Sequence, residues 1–350
     1  MKGFTPEIKI EGKDVPFLKG AYTNTGGLTA ATLQFTLPLN VAGFKKLWNK
    51  EVTFYVNNFD NKPIFRGYIK RVKEDFDSVE ILAQDVIGYM VKGGNAEKAK
   101  IALTNQDNLD GLTIGNAIRK AIKMAKLDTK IKTDYIRDTT PLVTSSTPPL
   151  RGTFGVKDII KQLMARAVDN SGSLPKPNII KIIDDGSFSQ LVIELESDLD
   201  TTQTTHTFTE YENITDLKIV NKKVPTIVIV NGQHGVKGTF THDTAIDAYD
   251  RNFLEVNNSS LKSPAECKDF AQKIFRANLT TQYEYGIDTF EGVHLSENDV
   301  IRIETEEPKF SGNYRVRGKK IAFTSNSFSI GLNINRKPPT LAEYISQQDN

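Results

Sequence analysis

The 350-residue chain has one cysteine, Cys267, one tryptophan and four histidines. A single cysteine excludes an intrachain disulfide and every metal site built from several cysteines, so we expect Cys267 to be a small buried side chain of a helix. No apolar run approaches the ~18 residues that a membrane span needs. The N-terminus lacks the apolar core of a signal peptide. We therefore expect a soluble protein, made in a cytoplasm, without membrane insertion.

The chain also lacks an excess of charge. Its 45 basic and 43 acidic side chains give a formal charge of +2, which provides no general attraction to nucleic acid or to an anionic membrane. Hydrophobic residues make up 38% and charged residues 25%, as in ordinary globular proteins. At about 150 residues per domain, the length predicts two or three domains.

Metal-binding patterns are missing as well. The histidines show no HExxH spacing and no cysteine partner. An aspartate group at Asp243, Asp247 and Asp250 lacks the alternate spacing and the glycine of a calcium loop, so we interpret it as caps and turns. The histidines are interpreted as surface or turn residues: His206, His234, His242 and His294.

Catalytic motifs are equally scarce. Residues 232–238, GQHGVKG, match neither a dinucleotide fingerprint nor a P-loop, and they join two strands, so we predict a hairpin turn. No Gly-x-Ser-x-Gly elbow occurs. An acidic run at Glu304, Glu306 and Glu307 is interpreted as a solvated loop. The sequence therefore offers no catalytic, cofactor-binding or metal-binding residue, although paired carboxylates from distant positions leave a hydrolase open.

Residues 1–84 show the period-two alternation of antiparallel strands, with turn signals between them. Five or six short strands predict a small barrel or sandwich, because an open sheet edge is a liability. The alternating apolar positions are Ile8 and Ile10, then Leu33, Phe35 and Leu37, then Val52, Phe54 and Val56, then Val79, Ile81 and Ala83.

The period changes after Gly94. Apolar residues at helical spacing predict one helix over 114–125 and another over 156–167. Residues 178–183 and 189–196 predict a hairpin around Asp184-Asp185-Gly186. The first helix also carries a basic face, interpreted as solvated, with docking onto an acidic partner as the alternative: Arg119, Lys120, Lys123 and Lys126.

The strand pattern resumes near residue 211. Residues 226–230 and 236–241 predict a hairpin, and further strands are predicted at 283–287, 300–303, 314–316, 321–323 and 328–334. One helix interrupts them, and its start is the clearest local signal. Ser263, Pro264 and Glu266 supply an N-cap, a first-turn proline and a capping-box carboxylate. The fold class is therefore α+β, mainly antiparallel β, with an α+β segment between two β segments.

Several segments, in this order, resemble the late-control-D and XkdQ-like baseplate hub proteins of contractile phage tails, which are related to the hub region of VgrG spike proteins and to tail-tube proteins. The order spans nearly the whole chain. The segments are Ile81 to Asp85, Phe154 to Met164, Tyr211 to Thr215, Asp243 to Arg251, the helix from Ser263 to near Leu279, Leu295 to Ile303, and Gly312 to Val316.

Two positions depart from that pattern. Asp250 stands where the family often has glycine, and Asn298-Asp299 replaces a Gly-Asp pair. Because Asn and Asp tolerate left-handed backbone, we expect both departures to lie in turns.

The resemblance implies two tail-tube-like β-barrels with an α+β insertion. The implied boundaries are 1–95, 96–210, 211–337 (with a helix at 263–278) and a C-terminal tail at 338–350. It also implies a homotrimeric ring whose six similar units match a threefold spike to a sixfold tube, which is a structural and non-enzymatic task without cofactors.

The implied partners are the tail tube protein, the central spike protein and the baseplate wedge proteins, with the tape measure protein as a further candidate. DNA would pass through the lumen without specific binding, in a virion assembled in the host cytoplasm. Two alternatives stay open: a tail-associated cell-wall hydrolase and a receptor- or carbohydrate-binding tail module. Exposed aromatic clusters would favour the second, but we expect Trp48, which follows Phe44 and Leu47, in the core.

Overall fold

The computed structural model describes residues 5–39, 46–56, 62–90, 100–103, 109, 111–137, 152–166, 178–185, 187–195, 202–221, 225–258, 261–280, 283–306 and 310–335. These residues form a mainly antiparallel β structure with few helices, which confirms the predicted α+β class. None of the helices in these ranges combines the length and hydrophobicity that a bilayer crossing requires.

The first segment consists of strands, as predicted. In β4 every second side chain is buried, at Leu33, Phe35 and Leu37, as the period-two pattern predicts. In β5 the predicted Val52, Phe54 and Val56 are buried, and Thr53 between them is buried as well. The strands are β1 (Pro6–Ile10), β2 (Lys13–Asp14), β3 (Lys19–Asn24), β4 (Thr32–Pro38), β5 (Glu51–Val56), β6 (Phe65–Glu74) and β7 (Ser78–Gln84).

The middle segment contains both predicted helices and the predicted hairpin. The apolar faces of the helices meet in one core, which includes Ile118 and Ile160, and the hairpin adds Leu191 to it. The elements are β8 (Lys100–Leu103), α1 (Ile114–Met124), β9 (Ile131–Lys132), β10 (Gly152–Gly155), α2 (Val156–Arg166), β11 (Asn178–Asp184) and β12 (Ser189–Leu195).

The third segment holds the remaining elements, and it includes β13, which pairs with β19 of the main sheet although it lies before the predicted boundary at residue 211. The predicted strands at 314–316 and 321–323 form one long strand, β20, with a bulge between Val316 and Gly318. The elements are β13 (His206–Thr209), β14 (Ile214–Asn221), β15 (Ile227–Asn231), β16 (Lys237–Thr241), α3 (Asp243–Tyr249), β17 (Phe253–Asn257), α4 (Pro264–Thr280), β18 (Tyr283–Thr289), β19 (Val300–Glu304), β20 (Gly312–Thr324) and β21 (Phe328–Asn335).

One sheet of thirteen strands runs through the first and third segments. Its order is β14-β18-β21-β20-β3-β4-β7-β6-β5-β1-β2, and β19 pairs with β20 and β13. Strand β20 makes the connection, because its first half pairs with β19, at Tyr314 and Ile301, and its second half pairs with β3, at Ile321 and Tyr22. The two segments therefore share one hydrophobic core.

The first half of this sheet bends back on itself. Phe54 of β5 stacks on Phe323 of β20 with ring centroids 4.5 Å apart, although β5 and β20 are separated in the strand order by four other strands. Tyr22 of β3 also contacts Phe54 and Phe65. Buried aromatic rings therefore fill the inside of the curve. Within the described residues the strand order remains open, ending at β2 and β14.

Strands β15 to β17 form a separate three-stranded sheet that packs on α4 around its own small core. Cys267 is fully buried there, as predicted. The glycines of residues 232–238 allow this contact, because a Cβ on Gly238 would lie 2.4 Å from the backbone nitrogen of Lys268. The glycine-rich stretch joins β15 and β16, which confirms the hairpin prediction.

The prediction for Trp48 was wrong, since its side chain is 55% exposed. The chain turns here: the Lys50 N–H donates to the carbonyl of Leu47, and Asn49 has φ 62°. The turn directs the partly buried Leu47 toward the core and leaves Trp48 on the outside. Sequence neighbours on a turn point in different directions, so an apolar pair does not guarantee shared burial.

Both departures from the family pattern have a positive φ, although Asp250, with ψ 175°, lies outside the left-handed helical region. Asp250 has φ 63° at the end of α3, and Asn298 has φ 74° just before β19. Glycine adopts this backbone at no steric cost, and Asp and Asn tolerate it better than other residues.

Candidate functional site

A cavity of about 310 Å³ lies where the three segments meet. The first segment contributes Asp85, the middle segment Lys181 and Asp184, and the third segment Glu297 and Lys319. We call these five residues the polar junction. Such a concentration of ionisable groups in a cleft is the usual first candidate for a functional site.

Asp184 ends β11 and ties the middle segment to the main sheet. Its Oδ2 accepts a hydrogen bond from the backbone N–H of Arg66 at 2.9 Å, and its Oδ1 accepts one from the Ser189 hydroxyl at 2.6 Å. Burial nevertheless raises the pKa of this carboxyl to about 7, because it costs more to desolvate the charge than these bonds recover.

Asp85 follows β7 and caps the short 3-10 helix Val86–Tyr89. One carboxylate oxygen accepts from the Ala31 N–H and the other from the Ile87 N–H, both at 3.0 Å. Burial raises its pKa to about 7, and the nearby charge of Asp184 acts in the same direction.

Glu297 lies in the loop between β18 and β19. Both of its carboxylate oxygens accept from the Gly27 N–H, at 3.0 and 2.9 Å. The neighbouring Gly26 has φ +78°, and a Cβ there would lie 2.4 Å from the Arg317 carbonyl oxygen, so the close approach of the two loops requires glycine. Burial raises the pKa of Glu297 to about 7.

Two lysines complete the polar junction. The ammonium of Lys319 donates to the carbonyls of Val293 and Leu295 at 2.5 and 2.8 Å, and desolvation lowers its pKa to about 8. Lys181 pairs with Glu194 at 2.8 Å and donates to the Glu297 carbonyl at 3.4 Å. The Lys319 bonds hold the 293–299 loop to β20, and the Lys181 bond to the Glu297 carbonyl connects the same loop to the middle segment.

The geometry of the polar junction fits a structural role better than catalysis. Every carboxylate oxygen of Asp85, Asp184 and Glu297 already accepts a hydrogen bond from the protein. A general base or a nucleophile needs an oxygen that can reach a substrate. Within the described ranges, no group of three or more His, Cys, Asp or Glu side chains is placed to hold a metal ion.

The histidines do not converge on this cavity as a set. His242 caps α3, its Nδ1 accepting from the Ala245 N–H at 3.1 Å, and His234 lies in the β15–β16 turn with φ 54°. His206 and His294 do meet, with ring centroids 5.5 Å apart, and His206 Nε2 lies 3.3 Å from Glu291. Sequence analysis did not predict that pairing.

The remaining candidates lie in separate parts of the fold. Asp243 is in the first turn of α3, and Glu304 is exposed at the end of β19, while Glu307 is outside the described residues. On the basic face of α1, Arg119 is structural, because its Nη2 donates to the Ile136 carbonyl at 2.5 Å. Lys123 and Lys126 are exposed.

The sequence patterns had indicated the segments that contain the polar junction residues, but they did not predict that these residues meet at one cavity. Asp85 and the 295–299 loop belong to the family-like segments, and Asp184 belongs to the predicted hairpin turn. The available signal was an acidic residue at the end of a buried strand, which is common in turns. Only the tertiary arrangement brings Asp85, Asp184 and the 295–299 loop together.

No protein-family model and no curated protein matches the chain. Among solved structures, it is similar to a tail protein from Neisseria meningitidis, at 12% identity and TM-score 0.65 over 95% of this chain and 97% of that one. It is similar to a 43 kDa tail protein of prophage MuSo2 from Shewanella oneidensis, at 10% identity, TM-score 0.65 and the same coverage.

A third similar structure is an Escherichia coli component of the type VI secretion system, itself described as resembling the T4 phage tail proteins gp27 and gp5. That match has 11% identity and TM-score 0.57 over 95% of this chain and 77% of the other. At these identities the likeness concerns the fold. The chain therefore shares, over nearly its whole length, the fold of these tail and secretion-system proteins.

Proposed function

We propose that this protein is the structural baseplate hub of a contractile phage tail or of a related injection system. The observation that carries the proposal is the shared fold with two tail proteins, one of them from a prophage, over 95% of the chain at TM-score 0.65. The segment order that resembles late-control-D and XkdQ-like hubs supports the same role.

In this proposal the two β segments act as two tube-like domains, residues 1–95 and 211–337, separated by the insertion at 96–210. The curved first half, with Phe54 stacked on Phe323, suits such a domain. In the second half, Tyr285 of β18 contacts Tyr314 of β20 at 5.2 Å across the intervening strand β21. The Tyr285–Tyr314 contact lies within the third segment, whereas the Phe54–Phe323 stack joins the first segment to β20 of the third.

Three copies with two similar units each would present six units in a ring. Such a ring can join a sixfold tube to a threefold spike, since contact surfaces alone perform that task. The long strand β20 suits it, because it belongs to both halves and fixes how one sits against the other. This role requires no reactive side chain on β20.

The proposed partners are the tail tube, the central spike and the baseplate wedges, with the tape measure protein as a further candidate. The proposed location is the tail baseplate of a virion assembled in the host cytoplasm. DNA would cross the ring without specific binding, in keeping with the formal charge of +2.

The polar junction gives one observation in favour of the hydrolase alternative, because it gathers three carboxyl groups at one cavity. Their oxygens are occupied by protein donors, so we propose a non-enzymatic protein. A zymogram on host peptidoglycan distinguishes the two functions. The hub proposal predicts no cleared band, and a cleared band that disappears in Asp184→Asn would support the hydrolase.

Light scattering coupled to size-exclusion chromatography tests the hub proposal. The expected mass is about 117 kDa, three times the 39.1 kDa chain. A second run includes the purified tail-tube subunit and should show a heavier complex. Protein that remains monomeric at high concentration, alone and with both tube and spike subunits, would contradict the proposal.

A further inference from the structure

We propose that two oppositely charged surfaces of this chain bind each other between neighbouring copies, head to tail, so that three copies close into a ring. One surface lies at an acidic end of the third segment and carries two exposed aromatic rings. The other lies at the basic end of α1 in the middle segment. The inference rests on the proposed hub ring and names the contact that holds neighbouring copies together.

The acidic surface lies where β13, β18 and β19 end and β14 begins. The Glu210 N–H donates to the Glu304 carbonyl, and the Glu306 N–H donates to a carboxylate oxygen of Glu210, both at 2.9 Å. The loop after β18 reaches the same place, because the Asn213 amide donates to the Glu291 carboxylate at 3.1 Å. The acidic surface consists of Glu210, Tyr211, Phe290, Glu291, Glu304 and Glu306.

Two aromatic rings of the acidic surface are exposed to solvent: Tyr211 is 78% exposed and Phe290 49%. Tyr211 has φ 66°, which a bulky side chain adopts only at a steric cost. The negative charges of Glu306 and Glu210 raise the pKa of Tyr211, so both carboxylates lie close to its ring. Strained residues cluster at functional sites, and exposed tyrosine rings are frequent anchors of protein interfaces.

The basic surface is formed by the end of α1 and the turn that follows it. Lys123 and Lys126 are exposed, and the Lys126 N–H donates to the Lys123 carbonyl at 2.9 Å, which keeps the two residues close. Lys120 lies one helical turn before Lys123. Lys130 follows, with its ammonium 3.9 Å from the centre of the Tyr68 ring. These four lysines make up the basic surface.

A second copy of the chain fits both surfaces. Tyr211 and Phe290 are exposed on one surface and Lys123 and Lys126 on the other, so the two surfaces do not cover each other within one chain. A contact between two different surfaces is heterologous, and it closes into a ring when its rotation allows. Such a ring needs both halves of its contact on every chain, and this chain carries both.

The charges of the two surfaces determine the partner. The formal charge of +2 gives no general attraction between copies, so any electrostatic attraction has to be local. Glutamates around exposed rings on one copy meet lysines on the next, which gives an aromatic centre and a charged rim. Complementary charges of this kind select the partner and fix how it is oriented.

Sedimentation velocity of the full-length protein over a series of salt concentrations is the first test. Exposed charges act over about 10 Å at 0.1 M salt and about 3 Å at 1 M salt. Association of the wild-type chain should therefore weaken about tenfold or more between these conditions. Association that does not change with salt would overturn the proposal.

Charge reversal then identifies the surfaces. One variant combines Lys123→Glu with Lys126→Glu. A second combines Glu304→Lys with Glu306→Lys. Each variant brings like charges together and should weaken association about tenfold or more. A third variant carries all four substitutions, which restores opposite charges across the contact, and should associate like the wild type.

Two further variants complete the experiment. The matched control combines Lys237→Glu with Lys268→Glu, two exposed lysines of the separate α4 unit, and should associate like the wild type. It changes the net charge as much as the variant of α1 does. Tyr211→Asn removes the ring and keeps a residue that tolerates positive φ, and it should weaken association about tenfold.

Wild-type association in both charge-reversed variants, or no recovery in the variant with four substitutions, would overturn this inference. A trimer with those properties would leave the hub proposal standing. A wild-type chain that is monomeric alone and with tube and spike subunits would overturn both. Should a charge-reversed variant fail to fold by circular dichroism, Tyr211→Asn and the salt series decide the question.

Discussion

Glu297 accepts the backbone N–H of Gly27 through both carboxylate oxygens, at 3.0 and 2.9 Å, and so joins loops 270 positions apart in the chain. Glu297→Ala leaves that partly buried N–H without its protein acceptor. We expect it to lower the free energy of unfolding by about 1–3 kcal/mol. Urea denaturation at pH 6 measures this loss. Glu212→Ala, at an exposed turn, is the control and should stay within about 0.5 kcal/mol of wild type.

The contact between Gly238 and α4 leads to a second prediction. A methyl group at Gly238 would lie 2.4 Å from the Lys268 nitrogen and 2.6 Å from the Cys267 Cβ. Gly238→Ala should therefore push α4 away from β16 and cost about 1–3 kcal/mol, measured by thermal unfolding. Gly286→Ala provides the comparison, because its methyl group would find ordinary contacts at 3.7 Å or more. Equal losses in both variants would argue against close packing of β16 on α4.

The capping box at the start of α4 gives a third stability prediction. Glu266 N–H donates to the Ser263 hydroxyl at 3.2 Å, and the Glu266 carboxylate accepts from the N–H groups of Ser263 and Lys262. Ser263→Ala should cost about 1 kcal/mol. Circular dichroism during urea unfolding reports it, with exposed Asp269→Ala as the control. An unchanged free energy of unfolding in Ser263→Ala would mean that the capping box adds nothing to stability.

The stacking of Phe54 on Phe323 allows a direct test of the curved sheet. A double-mutant cycle with Phe54→Leu and Phe323→Leu should give a coupling energy of about 0.5–1.5 kcal/mol. The control cycle pairs Phe54→Leu with Phe275→Leu, which belongs to the separate α4 core, and should be additive. An additive result for Phe54 and Phe323 would mean that β5 and β20 do not meet in solution.

Local sequence patterns predicted much of the fold. Alternation placed Leu33, Phe35 and Leu37 inside, helical spacing placed Ile118 inside, and the capping box located the start of α4. These features depend on neighbours within a few residues, so the sequence carries them directly. The seven-residue α3 and the strand β17 were missed, because α3 is too short to show a period and Phe253 of β17 is 61% exposed.

The polar junction and the shared sheet were beyond sequence analysis. The pairing of Lys319 with Asn24, or of Asp184 with Arg66, joins residues more than a hundred positions apart. Such pairings depend on how whole segments pack, and no local period encodes them. Trp48 shows the same limitation at short range, since the turn at Asn49, rather than hydrophobicity, decides which side chain is buried.

Electron microscopy of the purified full-length protein tests the hub proposal most directly. We expect class averages with threefold symmetry, a central opening and six similar peripheral units, two from each chain. Mixing with the spike subunit should fill one face of the ring without changing its symmetry. Single compact particles at high concentration, with no ring in the presence of spike or tube subunits, would contradict the account.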